Sequence, residues 1–554
     1  MMETDRRGFF QTVGARITGL SLRHAFSSTA MAVTLPFTLA MFLMFACATS
    51  QTITDTTGIA ASANGTDVEG TTSDASPVLA TKEPVSVMAI TTSETGKVRT
   101  IITTDGEIDD NCSMIRYLLY ANEFILEGIV ASASMFHYTA KEGETFKDKT
   151  YNQAIIDAYA KVYDNLCEHA DGYPTPEYLT SINVNGNISS PSEMDTDTEG
   201  SKLIKSCILD DQEGSLYLQV WGGTNTVAAA LRSIEEGYKN TDEWEEIYSK
   251  VCSKVFIFLD LDQDSTLNDY ILPNWPGVKV IASYNQFGAF AYGWNDHAPV
   301  EYTRTFTHTW MEENIYGKGP LADLYQKLTT SEEAASYYTL GFFTGWAPGN
   351  FLSEGDSINY LYILDVGLRQ SEHPSYGGWG GRFAAIKQEV FGNATSMLSN
   401  LYHDARDDGN IYKPLYRWFE AIQNDFAARM SWCTESMEDA NHAPVVSVAE
   451  GVDFSGAPGD TVTFTASATD PNGDTVSISF WQYDDADTYA GSVEILDSGN
   501  GKITLTIPED AKTGSKIIPG DTIHIIVEGK DDGVNPITRY QRVIVRVSEE
   551  ETSE

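Results

Sequence analysis

Alternation of short apolar runs with longer helical patterns, repeated from Val98 to about Glu435, most narrows what this chain can fold into. Val98-Arg99-Thr100-Ile101-Ile102-Thr103-Thr104 is a β-branched run of the kind that forms a buried strand. Cys112 to Tyr120 then carries apolar residues at helical spacing. Phe124 to Val130, Leu216 to Trp221, Val255 to Leu259 and Val278 to Ile281 read as further strands, with helices over Tyr151 to about His169 and Thr226 to Glu236. This rhythm predicts a mostly parallel sheet covered by helices on both faces, an α/β domain over residues 98–438.

The turn between the first strand and the first helix is Asp105-Gly106-Glu107-Ile108-Asp109-Asp110. Open α/β sheets place ligand sites at such strand carboxyl ends. Carboxylates packed this closely repel unless a positive charge lies between them, and a hard divalent cation is the usual solution. For any one aspartate, capping the following helix is the competing reading. For all three together, a metal or substrate site is the expectation.

Other turns add candidates. Trp221-Gly222-Gly223-Thr224-Asn225-Thr226-Val227-Ala228 is a second strand-to-helix turn, where glycines admit a ligand and Asn225 or Thr226 can cap. Asp262-Gln263-Asp264 follows another strand end, so Asp264 is a candidate substrate contact or simply part of an acidic loop. Ser353-Glu354-Gly355-Asp356-Ser357 opens a helix, with Asp356 as cap or ligand. Gly377-Gly378-Trp379-Gly380-Gly381-Arg382 is too glycine-rich for regular structure. Trp379 and Arg382 there suit sugar stacking and hydroxyl binding on a mobile loop; a hairpin packed on the core is the alternative.

The ends of the chain differ in texture. Arg6, Arg7, Arg16 and Arg23 precede the mostly apolar stretch from Phe26 to Ala46, which closes on Ala46-Cys47-Ala48. Residues 1–47 read as an export signal. Arg6-Arg7-Gly8-Phe9-Phe10 resembles a twin-arginine motif, and Met44-Phe45-Ala46-Cys47 a loose lipobox that would tether the protein to a membrane through Cys47, with plain cleavage or an uncleaved anchor as the alternatives. The protein is therefore expected outside the cytoplasm: periplasm, outer surface or secreted. Residues 48–97, rich in Thr, Ser, Ala and Gly, read as a disordered linker. After Pro444, alternating strands such as Val462 to Ala466, Ile503 to Ile507 and Ile523 to Val527 predict an immunoglobulin-like β-sandwich over 443–549. Six cysteines show no metal-type spacing and no disulfide framework. The balance of 36 basic against 79 acidic residues, net −43, excludes nucleic acid as a partner because phosphates would be repelled.

The motifs together carry a resemblance. Thr104-Asp105-Gly106-Glu107-Ile108-Asp109-Asp110 resembles the amino-terminal aspartate cluster of nucleoside hydrolases, D-T-D-P-G-I-D-D. Gly128-Ile129-Val130, the Trp221 to Ala228 turn and Glu354-Gly355-Asp356 resemble three later motifs of that family. The chain from about Val98 to Val547 resembles, more closely, bacterial cellulose-binding proteins that join a nucleoside-hydrolase-like domain to a carboxyl-terminal sandwich. These share a similar G-G-W-G-G-R loop, and Phe480-Trp481-Gln482-Tyr483 and Arg539 to Val543 resemble their sandwich.

The resemblance implies that Asp105 binds Ca²⁺ and activates a water, that Asp109 contacts sugar hydroxyls, and that Asp110, Asp356 and the Trp221 carbonyl complete the calcium site. It implies a calcium-dependent glycoside hydrolase acting on an N- or O-glycosidic bond of a carbohydrate; the alternative is a non-catalytic carbohydrate-binding protein. A third reading gives carbohydrate binding to the sandwich alone through Trp481, Tyr483 or Tyr489, aromatics that more often form core or interdomain contacts. The chain departs from the nucleoside hydrolase pattern at Thr103, Glu107, Met135 and Gly355, the last standing where the family has a His near the leaving base. The metal half of the motif is kept and the ribose and nucleobase half is not, so the expected ligand is a carbohydrate or glycoside rather than a nucleoside. His137 and Tyr138 are candidate replacement contacts, or residues of a solvated loop.

Overall fold

The computed structural model describes residues 77–78, 88–141, 145–330, 333, 347–385, 400–510 and 516–549. The expected export signal and Cys47 lie outside them. A two-residue strand, β1 (Pro77–Val78), pairs in parallel with Thr461–Val462 of the second domain. The first domain begins earlier than Val98. Met88 and Ile90 are buried in its core, and the Ile90 N–H donates to the Ser371 carbonyl at 2.8 Å. Met88, Ala89 and Ile90, assigned to the linker, are therefore packed, because they supply apolar surface that a Ser/Thr-rich composition conceals.

The strands of the first domain are β2 (Val98–Thr104), β3 (Phe124–Ala131), β4 (Asn183–Asn185), β5 (Leu216–Val220), β6 (Val255–Asp260), β7 (Lys279–Ser283), β8 (Phe383–Ala385) and β9 (Leu401–Asp404). They form one sheet in the order β4-β3-β2-β5-β6-β7-β9-β8, parallel throughout except that β8 runs antiparallel to β9. Adjacent residues of each strand enter opposite cores. Ile102, Tyr217, Phe256 and Phe258 face one, while Ile101, Leu216, Leu218, Ile257 and Leu259 face the other. That two-sided burial is why these strands read as continuous apolar runs. Helices α1 (Ile108–Leu119), α2 (Lys149–Tyr159), α3 (Glu199–Leu209), α4 (Asn225–Tyr238), α5 (Trp244–Lys254), α6 (Ser357–Leu361) and α7 (Phe419–Ser431) belong to this domain. Among the described residues, no helix is long and apolar enough to cross a membrane.

The second domain is a two-sheet sandwich. Strands β10 (Val445–Val448), β12 (Thr461–Thr469), β14 (Leu496–Asp497) and β15 (Lys502–Thr506) form one sheet with β1; β11 (Asp453–Gly456), β13 (Ser477–Gln482), β16 (Thr522–Lys530) and β17 (Thr538–Val547) form the other. Phe464, Ile503, Ile525 and Val543 fill the space between them. The domains are joined by backbone: the Tyr540 and Arg542 N–H groups of β17 donate to the Val366 and Gly367 carbonyls, both at 2.9 Å. A Cβ on Gly367, whose φ is +89°, would lie 1.7 Å from the Tyr540 carbonyl oxygen, so only glycine admits this approach.

Candidate functional site

Sheet order brings the site together. The chain runs from β2 outward to β3 and β4, then returns to the other side of β2 as β5, so a topological switch lies between β2 and β5. The carboxyl ends of β3, β2, β5 and β6 consequently present Ser132, Asp105, Trp221 and Asp260 along one edge. Gly106, at φ +78°, turns the chain from β2 into α1. Asp110, in the first turn of α1, fixes that turn. Its Oδ1 accepts from the Thr104 hydroxyl at 2.5 Å and the Asp105 N–H at 3.1 Å, and its Oδ2 accepts from the Glu107 N–H at 3.1 Å. Asp110 thus performs the capping expected of a single aspartate while also facing its neighbours.

Asp109, Asp110 and Asp356 each place one carboxylate oxygen within 4.8 Å of the others'. Asp105 is fully buried, and neither of its carboxylate oxygens makes a hydrogen bond of normal geometry, the Ser134 side chain giving only partial stabilisation. Asp356 Oδ2 and Asp260 Oδ1 are buried and unpartnered. Asp109 Oδ1 accepts from the Tyr292 hydroxyl at 2.8 Å.

The electrostatics follow from this geometry. Burial, then the charges of Asp110 and Glu107, push the Asp105 carboxyl well above the usual carboxylate range. Burial, then Asp110, Asp109, Asp260 and Asp105, do the same to Asp356. The same fields raise Asp109 and Asp260, in each case with burial foremost. Orphaned oxygens and mutual repulsion are what a hard divalent cation relieves, and an all-oxygen donor set of this kind suits one.

Asp260 escaped the sequence reading, which looked two residues further on at Asp262 and Asp264. The available signal was its place as the last residue of an apolar strand. Asp260 Oδ2 is held by the Asn359 side-chain amide, and Leu261 beyond it adopts φ +60°, a strained backbone at the edge of the cluster.

Two further residues fix the cluster from below. Arg116 of α1 and Glu354, two residues before Asp356, form a buried ion pair with Nε–Oε2 at 2.5 Å and Nη2–Oε1 at 2.9 Å. The Ser357 hydroxyl also donates to Glu354, at 2.8 Å. The helix carrying Asp109 and Asp110 is thereby clamped to the loop carrying Asp356.

Residues 99–383 match the family described as "Cellulose-binding Sde182, nucleoside hydrolase-like domain", which is more than half of the 554-residue chain. The chain belongs to this family. Residues 461–547 match "Cellulose-binding protein Sde0182, C-terminal domain". A nucleoside hydrolase-related hypothetical protein from Saccharophagus degradans, described as associated with carbohydrate metabolism, superposes with a TM-score of 0.64 at 28% identity, covering 82% of this chain and 100% of that one. The effector protein XOO4466 and the type III effector XopQ, the latter complexed with adenosine diphosphate ribose, give TM-scores of 0.31 and 0.30 at 12% and 10% identity. They cover 61% of this chain and 94% and 92% of theirs. No curated protein matches the chain.

Several residues expected to contact a ligand in this Sde182-type domain are engaged by partners within the protein. Asn225 is fully buried with its side chain satisfied: Oδ1 accepts from Ser132 and the Thr226 N–H, and Nδ2 donates to the Asn187 carbonyl. Asp264 accepts from the Asn225 N–H at 2.9 Å and from Thr224 and Thr266, so it caps helix α4 from a distant loop. Both are structural latches. The Trp221 carbonyl accepts the Gln263 amide at 2.9 Å, which uses one of its two lone pairs, and Gly222 beside it lies against Asp105.

Trp379 and Arg382 are not on an open loop. Trp379 is fully buried edge-on to Tyr540, and Arg382 pairs with buried Asp407 at 2.8 Å. The glycines there serve close packing: Gly378 and Gly381 bridge in a tight hairpin, and the Gly377 carbonyl accepts from Arg542. The core-packed alternative is the one realised. At Gly355, an added Cβ would lie 3.1 Å from Asp109 Oδ2 and 3.2 Å from both Phe287 and Ala291, so the cluster's wall is closed at that position. His137 pairs with Glu107 at 3.2 Å.

Proposed function

We propose that this protein is an exported, calcium-dependent glycoside hydrolase acting on an N- or O-glycosidic bond of a carbohydrate. The observation that carries this reading is the convergence of five buried aspartates, with oxygens of Asp105, Asp260 and Asp356 left without a hydrogen bond of normal geometry at the carboxyl edge of the sheet. Asp109, Asp110 and Asp356 would hold the ion. When bound, Ca²⁺ supplies the positive charge that lets these carboxylates ionise together and orients oxygen ligands beside them. Asp105, ionised in that field, is then the proton acceptor for an attacking water, and the remaining negative charge favours an oxocarbenium-like transition state. Tyr292 orients Asp109 through its hydroxyl. The carbohydrate assignment is supported by the cellulose-binding family description and by the carbohydrate-metabolism description of the Saccharophagus relative. Export is supported by the basic-then-apolar start of the sequence.

One observation favours a second reading, a non-catalytic carbohydrate-binding protein. Gly355 offers no side chain to protonate a leaving group, and Phe287 and Ala291 crowd the space where one would stand. Calorimetric titration of Ca²⁺ into metal-stripped protein, followed by a screen for sugar release from aryl glycosides and oligosaccharides, separates the two. Calcium binding with turnover that Asp105→Asn abolishes is the expected result. Calcium and sugar binding without turnover would establish the binding protein, and absence of calcium binding would sink the cation-dependent reading.

A further inference from the structure

Where the two domains meet, a groove of about 320 Å³ opens to solvent, lined among others by Tyr302, Arg417, Trp418, Trp481, Glu528 and Lys530. None of these belongs to the aspartate cluster. Trp418 is buried at its base, with the half-buried Trp481 ring 5.8 Å away and the Tyr540 ring 5.5 Å away. Tyr302 contributes a half-buried ring from the first domain. The Arg417 guanidinium lies over the Trp481 and Tyr483 rings, 4.9 and 4.3 Å from their centroids.

The polar groups around this aromatic base narrow the ligand. Each lining cation already has a carboxylate: Arg417 pairs with Asp407 at 2.9 Å, Lys530 with Glu420 at 2.7 Å, and Lys413 with Asp408. A phosphate or carboxylate ligand would have to break one of these pairs. Glu528, by contrast, accepts a single long hydrogen bond, 3.4 Å from the Trp481 indole, and burial raises its pKa. Glu528 is half-buried, and beyond the Lys530 charge nearby its carboxyl keeps acceptor capacity that a donor from solvent can reach. A neutral polyol supplies such donors. Aromatic faces take the C–H face of a pyranose ring, and a carboxyl at their edge accepts from its hydroxyls. The volume stands at the lower end of the roughly 300–1,000 Å³ of small-ligand pockets.

We propose that this interdomain groove is a second saccharide-binding site, taking a neutral pyranose unit between Tyr302 and Trp481 with Glu528 accepting from its hydroxyls. It stands independently of the reading of the aspartate cluster. Calorimetric titration of the full chain with cellohexaose, xylohexaose and maltohexaose, in EDTA so that no cation occupies the aspartates, tests it. At least one of these sugars binds, Tyr302→Ala and Glu528→Ala each weaken that binding tenfold or more, and Asp356→Ala leaves it unchanged. Trp481→Ala should abolish it, but Trp481 also packs on Trp418 and Tyr483, so the other two variants carry the decision. The proposal is overturned if none of the three sugars binds, if both variants bind as the unmodified protein does with unchanged melting temperature, or if Asp356→Ala alone removes binding.

Discussion

Arg116 and Glu354, 238 residues apart in sequence, meet in the protein interior with neither side chain exposed to solvent. Their pairing joins the helix of Asp109 and Asp110 to the loop of Asp356. The guanidinium also lies 3.7 Å from the centroid of the Phe426 ring, so α7 takes part in the same clamp. Removing one partner of a buried pair leaves the other charge uncompensated, at a cost of about 3–5 kcal/mol. Arg116→Met should therefore lower stability by that amount in urea unfolding and weaken calcium binding at the same time. An unchanged unfolding midpoint would show that the pair does not hold the site.

The pH dependence of the aspartate cluster has a definite sign. The carboxyls of Asp105, Asp109 and Asp356 are raised in the folded state by burial first and neighbouring charge second. The folded state thus binds protons more tightly than the unfolded chain between the ordinary carboxyl value of about 3.9 and the raised folded values. Their contribution to stability is greatest below that window and falls as pH rises through it. In EDTA, the protein should lose stability relative to an Asp356→Asn variant as pH climbs above about 4. Calcium should reverse this and stabilise more strongly at higher pH, because binding displaces protons. Melting temperatures across pH, with and without calcium, give the comparison; parallel curves for the two proteins would contradict it.

Asp260 tests what the sequence reading missed. Its Oδ1 is buried and unpartnered, and its charge raises Asp356. Whether it touches the ion or only shapes its field, Asp260→Asn should weaken calcium binding about 10–100-fold, as loss of groups that support metal ligands does. Titration calorimetry reads this directly, and an unchanged affinity would remove Asp260 from the site.

Legibility in the sequence followed local constraint. Asp105, Asp109, Asp110 and Asp356 were visible because a strand end and helix starts concentrate ligands there, and the parallel sheet was visible because strands buried on both faces are apolar throughout. Asp260 was hidden because one acidic residue closing an apolar run looks like the edge of a loop. The latching role of Asn225 and Asp264 was hidden because their partners, Ser132, Asn187 and the α4 amino terminus, are set by strand order rather than by neighbours in sequence. Trp379 and Arg382 were misassigned because glycine marks close backbone approach as readily as mobility, and only the docked sandwich shows which.

That docking makes the last prediction. Beyond the β17 backbone pairing, buried Arg542 donates to the Leu368 carbonyl at 2.6 Å and the Gly377 carbonyl at 2.7 Å, while Arg539 pairs with Asp425 at 2.6 Å across the same seam. Trp379 and Trp418 of the first domain both pack against Tyr540 of the second. Neither domain can leave without exposing these rings and unpairing these carbonyls, so the described parts should melt as one cooperative unit in scanning calorimetry. Gly367→Ala attacks the seam without touching either core. The overlap with the Tyr540 carbonyl and the positive φ together should cost about 1–3 kcal/mol or more, and should split the transition in two as the sandwich undocks. A single, unshifted peak in that variant would mean that the domains are held together by something other than the Gly367–Tyr540 contact.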